Sequence, residues 1–544
     1  MTGTDKTEIE QSIQMEQKAS VAQQTDRYMP SWVIILAVLA AGVVYLFQRG
    51  TPVDQAMSNA VTVLAVGVVL ASYGVWFLWR GPAGAGLKRL VLWGSVIGLV
   101  SFFSLIRITG VTGQLMFDWD WRWEGLADEN LTGVNAEIKT GQVDLKSLGD
   151  RLDYPGFLGK DRHPYVQADW LAEPNADNVI ELWRRDIGAG WSGFAAVAGF
   201  GVTMEQRGPD EIVSCYHLES GEIRWAHTRE FRHSTILGGI GPRATPTIYK
   251  GDVYALSAGG ILLCLAGKTG EQKWEQNVLA HVNSSVEEDS SVVSWGRSTS
   301  PLIVDNLVVV PAGGPKGGPF VSLLAFNRSD GELVWKGGRE QVSFSSPTLM
   351  TINGNRQVVV VNESSVAGHD VKTGKQVWKQ PWAGSSTSSA CTSQPYLVGE
   401  NSVFISKGYG QGAMLFAVDN TKTSVIWENP AVARTKYTNA ALVDGRIYSL
   451  SDGILECADL GTGDRIWKKG RFNHGQLLVV GELILVQSEE GGLHFIKPLE
   501  RGFDTVFQLE ALKDRCWATM TLYNDKLILR NSEQVVCYQL PVKR

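Results

Sequence analysis

A short turn closing on glycine, with tryptophan four residues further on, recurs along the 544-residue chain and constrains its fold more than any other feature. Gly221 precedes Trp225, Gly270 precedes Trp274, Gly331 precedes Trp335, Gly374 precedes Trp378 and Gly463 precedes Trp467. A copy without glycine, Thr421-Lys422-Thr423, leads to Trp427. An apolar, β-prone run flanks each turn on both sides, so every copy reads as a β-hairpin with glycine in the left-handed position. Upstream of each hairpin lie two more short strands. The first is rich in Ser, Thr and Pro, as in Ala244-Thr245-Pro246-Thr247-Ile248, and a tight turn joins it to the second. Four short antiparallel strands repeated at a period above about 40 residues predict a β-propeller.

First strands opening near Ser192, Ala244, Thr299, Ser346, Thr392, Thr438, Gly475 and Ala518 give eight units. The last unit ends after its third strand, Gln534 to Leu540. Glu181 to Ile187 has the form of a fourth strand with no unit of its own before it. These pieces are expected to pair and close the ring, which removes two open sheet edges. One Trp per unit is a structural pattern: a large ring packed between neighbouring blades buries about 150–250 Å². Cys215, Cys264 and Cys457 each stand ten residues before a repeat Trp, a slot held by Ala325 and Gly368 elsewhere and matched by Cys537. The slot selects a small buried residue. With Cys391 and Cys516 in units that are not neighbours, no disulfide is expected.

Residues 1–29 are polar and rich in Gln and Glu, and are expected to be a disordered cytoplasmic tail. Residues 30–110 hold three apolar runs, Trp32–Phe47, Asn59–Trp79 and Leu87–Ile108, read as three transmembrane helices that anchor the protein in a bilayer. None has an ionisable residue in its middle, which argues against a transporter or proton relay. Arg80, Lys88 and Arg89 between the second and third runs place that loop in the cytoplasm. Acidic residues after the third run place everything beyond Ile108 outside, in a multi-pass inner-membrane protein with a periplasmic propeller. Residues 111–178 read as a juxtamembrane segment and linker. They start with Phe117-Asp118-Trp119-Asp120-Trp121-Arg122-Trp123, an interfacial aromatic belt, and include Tyr154-Pro155-Gly156-Phe157-Leu158-Gly159, which has the residues to tuck against the propeller. Residues 179–544 form the propeller. A formal net charge of -6 gives no sign of nucleic-acid binding.

The two faces of such a propeller differ. The glycine turns make one face uniform. The other carries the long links Thr228–Pro242, Asn277–Arg297, Pro311–Pro319 and Lys407–Gly412, and variable loops on a rigid scaffold are where binding concentrates. Candidate lining residues at that mouth of the channel are Trp191, Arg243, Arg297, Tyr437, His474 and Trp517. Arg243 and Arg297 stand at nearly matching positions in successive blades, and two guanidinium groups converging there would suit a carboxylate or phosphate. The plain alternative is that each ties down its own loop or pairs with an acid such as Glu205 or Glu363. No His spacing suits zinc, and the run Ala312 to Pro319 precedes a strand and so is no phosphate loop. No catalytic residue and no metal ligand is assigned.

The units Leu265-Ala266-Gly267-Lys268-Thr269-Gly270 with Trp274, and His369-Asp370-Val371-Lys372-Thr373-Gly374-Lys375 with Trp378, resemble the pyrroloquinoline-quinone (PQQ) repeat family. The resemblance covers roughly residues 180–540 and implies an all-β, eight-bladed propeller with tryptophan docking. One branch of that family, the quinoprotein alcohol and glucose dehydrogenases, holds the quinone over calcium. This chain lacks the adjacent cysteine pair of the alcohol type and the Glu, Asn and Asp oxygens of a calcium site. The other branch is similar to the propeller subunit of the outer-membrane β-barrel assembly machinery, compact and without cofactor. The expectation is a membrane-anchored cell-envelope scaffold that binds a protein or polymer on its long-loop face, with no bound quinone and without catalysis. The alternative is a PQQ- and calcium-dependent membrane-bound dehydrogenase of alcohols or sugars.

Overall fold

The fold was obtained as a computed structural model, which describes residues 13–15, 31–49, 55–81, 83–114, 116–131, 133–146, 153–384 and 390–543. Apart from residues 13–15, the tail 1–29 lies outside the described residues. The chain divides into two units. One comprises Met1–Thr109 with Gln114–Glu124, the other Gly110–Gly113 with Gly125–Arg544.

The first unit holds three helices, Ser31–Arg49, Gln55–Arg80 and Ala85–Leu105. Two of them, over Ser58–Arg80 and Ala85–Leu105, are long and apolar enough to cross a membrane by length and composition. The expected count of three is corrected to two. The apolar stretch of the first helix, Ser31–Phe47, is shorter, and at 1.5 Å per residue it spans about 26 Å of a ~30 Å hydrocarbon layer. Apolar side chains on the two longer helices are left uncovered by protein, as at Leu64, Leu70, Leu90 and Phe103.

The second unit is the propeller. Ala195–Val197, Phe200–Arg207, Asp210–His217 and Ile223–Glu230 make the first four-stranded antiparallel sheet. Seven more follow, with first strands Thr247–Tyr249, Leu302–Val304, Thr348–Ile352, Tyr396–Val398, Ala441–Val443, Gln476–Val480 and Thr521–Tyr523. The eighth sheet is completed by Ile180–Asp186, which pairs antiparallel with Gln534–Gln539 and brings Trp183 opposite Cys537. Ring closure by an upstream strand is therefore as expected.

First strands start two or three residues later than the sequence pattern suggests for most blades. The preceding residues have another task. Gly193 N donates to Thr245 Oγ1 (3.0 Å), Thr245 N to Ser300 Oγ (3.0 Å) and Ser300 N to Ser346 Oγ (2.9 Å). Ser346 N donates to the side-chain oxygen of Gln394 (3.1 Å), and Gln394 N to Asn439 Oδ1 (2.7 Å). Each side chain satisfies a buried backbone donor of the blade before it, and the series forms a collar around the channel.

The tryptophans dock between blades. The indole N–H of Trp183, Trp225, Trp274, Trp335, Trp427 and Trp467 donates to a carbonyl of the next blade, at 2.7–3.1 Å. In five of these the ring lies against the next blade's turn glycine. A Cβ on Gly221, Gly270, Gly331, Gly374 or Gly463 would sit 2.4–2.8 Å from it. Trp378 is the exception: its N–H donates to Gln357 Oε1 of its own blade (2.6 Å), and the following blade has the turn without glycine. In the seventh blade Phe507 stands opposite Phe495 in the Trp position. The eighth blade is made of two separate chain segments and offers no hairpin turn for an indole.

Residues 153–166 cross the inner edges of the ring on the side of the glycine turns. Tyr154 and Ala196 exchange backbone hydrogen bonds (2.8 and 2.7 Å), and Ile248 N donates to Pro155 O (2.7 Å). The Arg162 guanidinium donates to the carbonyls of Ser300, Pro301 and Pro347. Leu442 N donates to His163 Nε2 (2.9 Å), and Tyr165–Val166 pairs in parallel with Val479 and Val480. This strap therefore bonds to blades one, two, three, four, six and seven.

Candidate ligand-binding mouth of the central channel

On the long-loop side of the collar lies a cavity of about 110 Å³. Its walls come from the links that enter the first strands: Trp191, Arg243, Trp295, Phe344, Tyr437 and Trp517, with Tyr409 from the link Lys407–Gly412. Phe157 reaches it from the strap, and Ser298, Thr392, Asn439 and Thr519 supply the polar lining.

The aromatic rings form a continuous series. Trp191 and Trp517 have centroids 5.1 Å apart, Trp517 and Tyr437 4.7 Å, and Tyr437 and Trp295 5.7 Å. Their tilted arrangements suit the ring quadrupoles. Polar edges fix the rings. Trp191 Nε1 donates to Gly238 O (2.8 Å), which pins the small ribbon formed by Ser234–Thr235 and Gly239–Ile240. Trp517 Nε1 donates to Glu489 Oε1 (2.9 Å). Ile236, on that ribbon, is 62% exposed at the rim.

Of the six residues selected from the sequence, Trp191, Arg243, Tyr437 and Trp517 line the cavity. His474 stands behind it, edge-on to Tyr437 at 5.8 Å, and burial holds its imidazole well below the usual range. Arg297 does not reach the mouth. It pairs with Asp289 (2.7 and 2.9 Å) and donates to Pro311 O and Ala312 O, so it holds its own loop. Arg243 and Arg297 therefore do not converge, and the plain alternative that each ties down its own loop holds, with a short helix, Val286–Val292, presenting Asp289 to Arg297. Glu205, named as a possible partner, bonds instead to Arg207, Ser214 and Tyr216.

Arg243 donates to Gly241 O (2.9 Å) and Gly239 O (3.4 Å) and has no ion pair among the described residues. Burial pulls its guanidinium down to about 10. Arg515, which the sequence pattern does not mark, lies over the Trp517 ring (4.8 Å) and the Trp191 ring (5.8 Å), and burial likewise pulls it down to about 10. Trp295, Phe344, Tyr409 and Phe157 are unmarked as well. They sit in links and in the strap, where no repeat register picks them out. The acid at the mouth, Glu489, is already engaged by Trp517 Nε1, by Gly113 N (2.8 Å) and by His474 N (3.1 Å).

None of the residues lining the cavity is acidic. Calcium takes six to eight oxygen ligands with carboxylates among them, and a lining whose side-chain oxygens are hydroxyls and one carboxamide fits it poorly. Among the described residues, no group of three or more His, Cys, Asp or Glu side chains is placed to hold a metal ion.

Fold and repeat together define an eight-bladed propeller of the PQQ-like repeat type. Residues 209–469, just under half of the chain, match the family model described as outer membrane protein assembly factor BamB. The structure of BamB from Moraxella catarrhalis is similar at 16% identity and a TM-score of 0.47, over 66% of this chain and 100% of that one. The quinohemoprotein alcohol dehydrogenase of Comamonas testosteroni is similar at 12% identity and a TM-score of 0.54, over 77% and 84%. The corresponding enzyme ADHIIG of Pseudomonas putida HK5 is similar at 12% identity and a TM-score of 0.50, over 72% and 81%. No curated protein sequence matches the chain.

Proposed function

We propose that the protein is a cell-envelope scaffold that binds a protein or polymer at the long-loop face of its propeller and works without quinone. The observation that carries this reading is the aromatic cavity at the mouth, walled by the links that vary most between blades. Its volume of about 110 Å³ is well below the ~300–1,000 Å³ of small-molecule sites. It suits one inserted side chain better than a cofactor with its substrate. The poor match of the lining to calcium favours the scaffold over a quinone-dependent dehydrogenase.

The apolar helices anchor the scaffold in the inner membrane. Arg80, Lys88 and Arg89, between the two helices long enough to span, lie on the cytoplasmic side by the positive-inside rule. The chain beyond Leu105 then emerges on the periplasmic side, whether or not the first helix also crosses.

The test places a photo-crosslinking residue at Ile236 on the mouth rim or at Thr373 on the glycine-turn face of the full-length protein in its native membrane. A discrete crosslinked species is expected from Ile236 and none from Thr373. Equal crosslinking from both positions, or none from Ile236, would overturn the assignment.

A further inference from the structure

We propose that the mouth recognises a segment of a partner protein in which an aromatic side chain sits beside a carboxylate. The inference rests on the reading of the mouth as a docking site and names the chemistry of its occupant.

The cavity dictates the first half. Its walls are aromatic, and its volume of about 110 Å³ approaches the ~150 Å³ of a buried apolar cavity known to accept benzene. One phenyl group fills such a space. Offset and edge contacts with Trp191, Trp517 and Tyr437 are available to a ring inserted among them.

Charge dictates the second half. Arg243 lines the cavity without an acid to pair with among the described residues. Glu489, at the mouth, is engaged by three N–H donors of this chain. Aromatic walls alone would suit a quaternary ammonium ion, but a guanidinium without an acidic partner beside them repels a cation. What Arg243 lacks is an anionic partner, and a carboxylate next to the inserted ring supplies it.

Three capped tripeptides with a central phenylalanine, flanked by aspartate, serine or lysine, are titrated into the full-length protein in detergent, with tryptophan fluorescence as the readout. The aspartate peptide is expected to bind about tenfold tighter than the serine peptide, and the lysine peptide weakest. Arg243→Gln should remove the preference for aspartate, so that the aspartate and serine peptides bind equally. An unfolding midpoint in urea close to the parent's shows that the variant is folded. Arg243→Lys should keep a preference for aspartate. Binding without charge preference, or with preference for lysine, overturns the inference and leaves the docking site standing. Absence of binding by all three, with crosslinking at Ile236 intact, overturns the inference alone. Absence of both overturns the docking reading as well.

Discussion

The contact between a repeat tryptophan and the next blade's glycine turn can be weighed by adding one methyl group. Gly270 has φ +75°, and a Cβ there would lie 2.5 Å from Trp225 Cε3 and 2.9 Å from Cδ2. The ring has little room to retreat, because it is 4% exposed and its N–H is held by Gly267 O at 2.8 Å. Gly270→Ala therefore meets two costs. Left-handed backbone in an L-residue costs about 1–2 kcal/mol, and forcing a methyl into a filled space costs about 1–3 kcal/mol. A loss of about 2–5 kcal/mol is expected from the two together. Gly445 isolates the first cost: its φ is +72°, and a Cβ added there would meet nothing within 4 Å. Gly445→Ala should lose about 1–2 kcal/mol. The assay is urea unfolding of the full-length protein followed by tryptophan fluorescence, with both variants and the parent in one detergent. Equal midpoints for the two variants would refute the claim that the indole docks against the turn and would reduce the glycine's role to backbone freedom.

Two further outcomes are expected. Glu211 faces Arg229 across its sheet, but Arg229 pairs with Glu275 (3.0 Å), and burial pushes the Glu211 carboxyl from 4.5 up to about 7. A raised folded value means that the stability it contributes is complete below about pH 4.5 and lost as pH rises through about 7, a change of about 3 kcal/mol. Glu211→Gln should stabilise the protein at pH 8 but not at pH 4.5 in urea unfolding, and no gain at pH 8 contradicts the burial argument. All six cysteines are buried and free, with Cys457 pushed up to about 11 and Cys516 to about 12. A thiol reagent should titrate none in the native protein and all six in denaturant, whereas rapid native labelling of any of them contradicts their burial.

The ring was legible because each part of it leaves a mark in sequence. The stray strand at Glu181 to Ile187 could be paired with the end of the chain by its form alone. Even the broken copies follow a rule. Trp378 turns back to Gln357 because the next turn has no glycine, and Gly368 makes room for it, since a Cβ there would meet the indole at 2.3 Å. The small-residue slot before each Trp is likewise explained, as Cys215, Cys264 and Cys457 lie directly opposite Trp225, Trp274 and Trp467. The mouth was only half legible. Residues at the starts of first strands, such as Trp191 and Trp517, inherit the register of the repeat. Trp295 and Tyr409 come from links of unequal length, and register says nothing about where such links fold. Arg297 falls outside the register for the same reason: its partner Asp289 sits on a helix within this link, Val286–Val292. The third membrane-length helix failed on a difference of about one turn, which hydropathy reads poorly at a helix end.

The strap has a bearing on how this protein is assembled during synthesis. Residues 153–166 leave the ribosome before any blade exists, and so does the strand 180–186 that closes the eighth sheet. Blades one and two can add to the waiting backbone of Tyr154 and Pro155 almost as soon as they are made. His163 and Tyr165 wait for Leu442 and Val479, and Trp183 waits for Cys537. The strap is thus complete only once blade seven is made, and a product interrupted before the final strand keeps 180–186 unpaired at the outer edge of the eighth sheet.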